Sequence, residues 1–146
     1  MRHRMAVALL ALVGLLVSTY LLLYKLGLLG QIICVGSGGC ERVQLSPWSV
    51  LFGVPVAAYG VAGYLVLLAL ALSGLQGERL ASPGPTRWLA GLSGLGVLFS
   101  AYLLVIELTA IHAVCLWCSV SGVVILAIFL VSAGALARAS RLPPAP

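Results

Sequence analysis

Four stretches of this chain are too long and too apolar to belong to a water-soluble domain: Ala6–Leu26, Val54–Leu75, Trp88–Ala110 and Cys115–Ala137. Each reaches the ~20 residues that a helix needs to cross the hydrocarbon of a bilayer. With 62% of the 146 residues hydrophobic and 8% charged, little is left from which to build anything else. The first run follows Arg2 and Arg4 in the manner of a signal peptide, but it is too long for one and has no small-x-small cleavage site, so it reads as an uncleaved span. The expected fold is an all-α bundle of four transmembrane helices, one domain over residues 1–146, with spans at about 6–26, 54–75, 88–110 and 115–137. An outer loop covers 27–53, a short inner loop 76–87 and a tail 138–146. Small residues (Gly53, Ala57, Gly60, Gly63, then Gly91, Gly94, Gly96, Ser100) let helices approach closely in lipid.

The net charge of +5 is scattered in ones and twos at span ends, which speaks for topology signals rather than nucleic-acid binding. With the N-terminus inside, Arg2, Arg4, Arg79, Arg87, Arg138 and Arg141 lie inside, and only Lys25 and Arg42 outside. Both termini are therefore expected in the cytoplasm, in a multi-pass protein of the cytoplasmic membrane. All four cysteines then fall on the outer, oxidising face.

The outer loop carries "CVGSGGCERVQLSPWSVLFG". Its glycines, Gly36, Gly38 and Gly39, predict a hinge between Cys34 and Cys40. Ser46 as a cap, Pro47 in the first turn and Trp48, Leu51 and Phe52 on one face predict a short interfacial helix, either a lid on a cavity or a simple anchor.

Four cysteines at this spacing admit three disulfide connectivities, a redox relay or a zinc site. Zinc fits poorly with an outer, membrane-edge location. Cys115-x-x-Cys118 is too short a loop to be a good staple, yet a pair at a helix N-terminus is well placed for thiol exchange. Cys115 is expected to be the more exposed thiol, with Cys118 one turn on, facing the bilayer interior. An acceptor reached there must be lipid-soluble, and the chain has no haem, dinucleotide or metal-ligand motif, so a quinone is the natural candidate, expected beside Cys118 among Trp117, Phe52, Tyr59 and Tyr102. Glu107 is the one carboxylate inside a span and a candidate for proton transfer, unless it is hydrated or paired with Arg42 or Lys25. His112, in the turn, is a weaker candidate for thiol activation.

The order of these features, "CERVQLSPWSVLFGVP" running into the second span and "CLWC" opening the fourth, resembles the vitamin K epoxide reductase family in its bacterial form. The resemblance implies an enzyme, a quinone-dependent disulfide oxidoreductase. In it Cys115 and Cys118 are the active-site pair beside the quinone, and Cys34 and Cys40 are a loop pair that takes electrons from a thioredoxin-like protein. Cys40 would attack Cys115, Cys34 would exchange with the partner, and Ser46 matches the family's loop serine. The quinone would be menaquinone, ubiquinone or a vitamin K-type quinone, and the partner a separate secreted or periplasmic protein, since no such domain is joined to either end. Vertebrate members have a tyrosine where Gly122 stands and an asparagine where Ser49 stands, positions similar to quinone-contacting groups. Two other readings compete: a non-enzymatic four-span protein with structural disulfides, and the B-type bacterial disulfide-forming protein. In the latter the Cys-x-x-Cys precedes the loop pair instead of following it.

Overall fold

In the computed structural model, which describes residues 2–36, 38–76 and 83–142, the chain is an all-α bundle of four membrane-length helices. These are α1 (Arg2–Lys25), α3 (Val56–Ser73), α4 (Gly84–Ile106) and α5 (Leu116–Arg141), with a short α2 (Gly39–Leu45) in the first loop. α4 continues through a π-helical turn, Glu107–Ile111, and α5 continues to Arg141. Residues 77–82, and with them Arg79, lie outside the described residues, as do 143–146.

The spanning helices are apolar on all sides, as lipid contact demands. Leu9, Leu16, Leu98, Val123 and Leu130 are each more than half exposed on the outside of the bundle. The interior is a strip of small and branched residues: Val7 and Ala11 of α1, Tyr64, Leu67 and Ala71 of α3, Leu89 of α4, and Val124, Ile125 and Ile128 of α5. α1 packs along α3 and α5, and α4 along α5. Several polar groups inside are satisfied locally or across helices, where an unmet hydrogen bond costs several kcal/mol, although Ser132 Oγ of α5 is buried with no partner among the described residues. Ser93 Oγ bonds back to the Leu89 carbonyl, and Tyr64 Oη donates to the Ser121 carbonyl at 2.7 Å, tying α3 to α5.

At one end of the bundle the buried Arg4 of α1 donates to the Gly74 carbonyl at the end of α3 and to Thr86 at the start of α4. At the other end lie the first loop, the turn from α4 to α5 and all four cysteines.

The short helix of the first loop is not where the sequence suggested. Ser46 Oγ turns back onto the Val43 carbonyl and closes α2, so it ends one helix instead of starting the next. Pro47–Ser49 makes only a single 3₁₀ turn, and Val50–Leu51 (β1) then pairs antiparallel with Val54–Pro55 (β2). Phe52 and Gly53 at the tip both have positive φ, 52° and 78°, as a tight two-residue hairpin turn requires. Gly53 takes that conformation freely, whereas Phe52 holds it as a bulky residue that rarely does, between the paired Leu51 and Val54.

Candidate functional site

The site is built where α2 lies across the start of α5. Cys34 and Cys40 form a disulfide, with Cα atoms 6.2 Å apart. Gly36 and Gly38 in the loop between them both have positive φ. Cys115 and Cys118 are free thiols. Cys40, Val43 and Cys115 form a small buried cluster, with Ile32, Cys34, Ile111, Trp117 and Cys118 packed against it.

Cys115 is not the exposed thiol of the pair. Both it and Cys40 are 0% exposed, because α2 covers the connection into α5, and Cys118 is the half-buried one. The close approach depends on Gly39. A Cβ at that position would run into the Val114 carbonyl, a backbone atom that cannot step aside without moving the connection. Gly39→Ala should therefore lift the start of α2 off residues 112–115. The expected result is about a tenfold slower exchange between the loop pair and Cys115, since a small misplacement of reacting atoms costs one to two powers of ten. Stopped-flow reduction of the Cys115–Cys118 disulfide by the reduced loop would measure it.

Cys115 precedes α5 and caps it, its sulfur accepting the Cys118 N–H at 3.3 Å. The hydrogen bond from the Cys118 thiol, helped by the N–H groups of Cys118 and Trp117, holds the Cys115 thiol below the ordinary cysteine value, against burial and the nearby Glu107. A depressed thiol is both a readily formed thiolate and a good leaving sulfur.

Glu107, 4% exposed, sits in the π-helical turn, a distortion that re-aims a side chain. One carboxylate oxygen accepts the Cys115 N–H at 3.1 Å, and the carboxyl also reaches the Cys118 side chain. Lys25 is engaged elsewhere: its Nζ donates to the Gln44 carbonyl and to Ser49 Oγ. His112, in a left-handed conformation, ends the π-helical turn and is exposed.

Cys118 opens onto a cavity of about 430 Å³ between α1, α3, α4 and α5, roofed by α2 and the 3₁₀ turn. Its walls are mostly apolar: Leu21, Ala57, Leu67, Leu95, Phe99 and Ile125 among others. The polar residues facing it are few and include Gln44, Ser46, Ser49, Tyr59, Tyr64, Glu107 and Ser121. That size and lining suit a small lipid-soluble molecule with one or two polar atoms.

Of the residues expected around the acceptor at Cys118, Ser49 and Tyr59 line the cavity, as does Ser46, expected as a supporting residue, whereas Trp117, Phe52 and Tyr102 do not. Trp117 points to the loop side, donating to the Ile33 carbonyl at 2.6 Å and meeting Tyr20 edge-on at 5.4 Å. Phe52 is at the hairpin tip and 92% exposed, and Tyr102 is on the outer face of α4. Sequence reasoning missed Gln44, whose Nε2 lies 3.9 Å from Cys118 Sγ, and Tyr64, because neither carries a motif. The signal for Gln44 was its position one helical turn after Cys40.

Residues 5–133 match the sequence model of the Vitamin K epoxide reductase family. That match spans all four membrane helices up to the last part of α5 and both cysteine pairs. On that match the chain belongs to the vitamin K epoxide reductase family.

Proposed function

We propose that this chain acts as a single membrane domain that carries electrons from a thioredoxin-like protein outside the cytoplasm through Cys34/Cys40 to Cys115/Cys118 and on to a membrane quinone. Membership in the family makes it a membrane oxidoreductase, and the observation that carries the finer reading is the placement of α2. One face of that helix buries Cys40 with Cys115, while Cys118, one turn further along, fronts an apolar cavity. A relay needs that arrangement: one sulfur for the loop and one for the acceptor.

In the working direction the reduced loop's Cys40 attacks Cys115 of the inner disulfide, releasing Cys118 as the leaving thiolate. Cys34 then attacks Cys40, which frees Cys115 and closes the Cys34–Cys40 disulfide. The combination of a loop disulfide with an inner dithiol is the state that follows, with two electrons waiting at Cys115 and Cys118. A quinone held beside Cys118 would supply the acceptor for those two electrons and two protons, the inner pair returning to a disulfide. Glu107, in reach of Cys118, is the group that accepts and passes on a proton there. Ser46 supports the site by closing α2, and Ser49 and Tyr59 contact the acceptor's cavity. Menaquinone, ubiquinone and vitamin K-type quinones share the ring that the cavity would take.

The arginines Arg2, Arg4, Arg87, Arg138 and Arg141 gather at the end away from the cysteines, which supports termini in the cytoplasm and thiols outside. The partner then delivers electrons drawn from proteins forming disulfides. Purified protein in detergent should bleach a soluble short-chain quinone when given a dithiol, and should do so with a reduced thioredoxin-like protein as well. No turnover with either donor would sink the reading.

A further inference from the structure

α2 presents two residues to the start of α5, Cys40 and Gln44, four apart and so on one face of the helix. Cys40 meets Cys115, and Gln44 meets Cys118 with its Nε2 at 3.9 Å from Sγ. Gln44 is 6% exposed and its backbone is clamped: Lys25 Nζ donates to its carbonyl at 2.5 Å and Ser49 Oγ at 2.7 Å. Its side chain is left to face the cavity. Resting on the quinone-linked reading, we propose that Gln44 seats the electron acceptor, its amide N–H donating to the acceptor's carbonyl oxygen beside Cys118, so that the cavity selects acceptors bearing a carbonyl.

Three other donors around the cavity are committed. Tyr64 Oη donates to the Ser121 carbonyl at 2.7 Å, Tyr59 Oη to the Leu51 carbonyl at 3.0 Å and Ser46 Oγ to the Val43 carbonyl at 2.7 Å. Ser18 and Ser100 each stand seven residues before the cysteine-end residues Lys25 and Glu107, about 10 Å deeper along their helices. An amide carries two N–H groups. Among the described residues those of Gln44 meet only a sulfur at the long limit of a hydrogen bond. A carbonyl oxygen at ~2.9 Å is the better partner. It also gains negative charge as electrons arrive, so a donor fixed there strengthens its hold as transfer proceeds.

Two variants separate this role from a structural one: Gln44→Met, which keeps the length and loses the donor, and Gln44→Glu, which keeps the shape and replaces the donor by an acceptor. Quinone affinity is read from quenching of tryptophan fluorescence, Trp48 lining the cavity, in protein with both pairs oxidised so that nothing turns over. Both variants should bind a short-chain 1,4-quinone about tenfold more weakly than wild type, the cost of one buried hydrogen bond. In Gln44→Met, oxidation of the Cys115–Cys118 dithiol by dithiodipyridine, an acceptor without a carbonyl, should proceed at the wild-type rate. Equal quinone affinity in wild type and Gln44→Met would overturn the proposal while leaving the quinone-linked reading in place. Equal slowing with both oxidants would overturn it too, since it would mark Gln44 as support for the sulfur alone. A wild type that neither binds nor reduces quinone would fail the parent reading instead.

Discussion

Cys118→Ala should abolish quinone reduction with every electron donor, by roughly a thousandfold or more, while Cys34→Ala should silence the protein donor alone. The asymmetry comes from where the sulfurs sit. Cys118 is the thiol on the cavity wall, and Cys115 is 0% exposed beneath α2, so no other sulfur can stand in for it at the acceptor. Cys34 lies on the far side of the loop disulfide, in a segment where Ile33 and Val35 on either side are exposed. A folded donor protein can reach that segment but cannot enter a cavity of about 430 Å³. A small dithiol can enter and reduce the inner disulfide at Cys118 directly, so with that donor Cys34→Ala should keep most of its turnover. Quinone bleaching followed with both donors checks the two variants together. Loss of both donors in Cys34→Ala would mean that electrons do not enter the inner pair except through the loop.

The second large effect is expected at Glu107. Glu107→Gln should lower kcat by about a hundredfold, the usual contribution of a positioned acid–base group, with little change in thermal stability. The amide oxygen of glutamine can still accept the Cys115 N–H that the carboxylate now holds at 3.1 Å. Glu107→Leu removes that acceptor as well and leaves a buried N–H unmet, at a cost of about 1–3 kcal/mol, so it should lose stability in addition to activity. Steady-state kinetics beside thermal melts of the two variants separates the roles. A Gln variant as fast as wild type would reduce Glu107 to an anchor for the α5 N-terminus.

The four spans were legible because crossing a bilayer needs only length and apolarity, and the runs supply both. The family was legible because two cysteine pairs in a fixed order, with "CERVQLS" between them, are a specific pattern. Which way each side chain turns was not legible. A helix that is apolar on all sides gives no moment from which to tell the lipid face from the core, so Tyr102 and Trp117 looked as suitable for the cavity as Tyr59 did. Within the loop, local propensity misplaced the helix: Ser46-Pro47 resembles an N-terminal cap, and the structure uses Ser46 as the end of α2 because the helix is already held by Cys40 against Cys115 and by Lys25 on Gln44. The burial of Cys115 is likewise a tertiary fact, resting on the missing side chain of Gly39.

Arg4 and Lys25 sit at opposite ends of α1, the first knotted to α3 and α4 and the second to α2 and Ser49. Between them the helix is a rod of about 32 Å at 1.5 Å per residue. Pinned at the arginine alone, such a rod would be a lever: a tilt of one degree there would carry the lysine end about 0.5 Å by that length. The guanidinium at one end and the ammonium of Lys25 at the other hold the rod at both ends, so that a swing would have to break the bonds from Lys25 to Gln44 and Ser49.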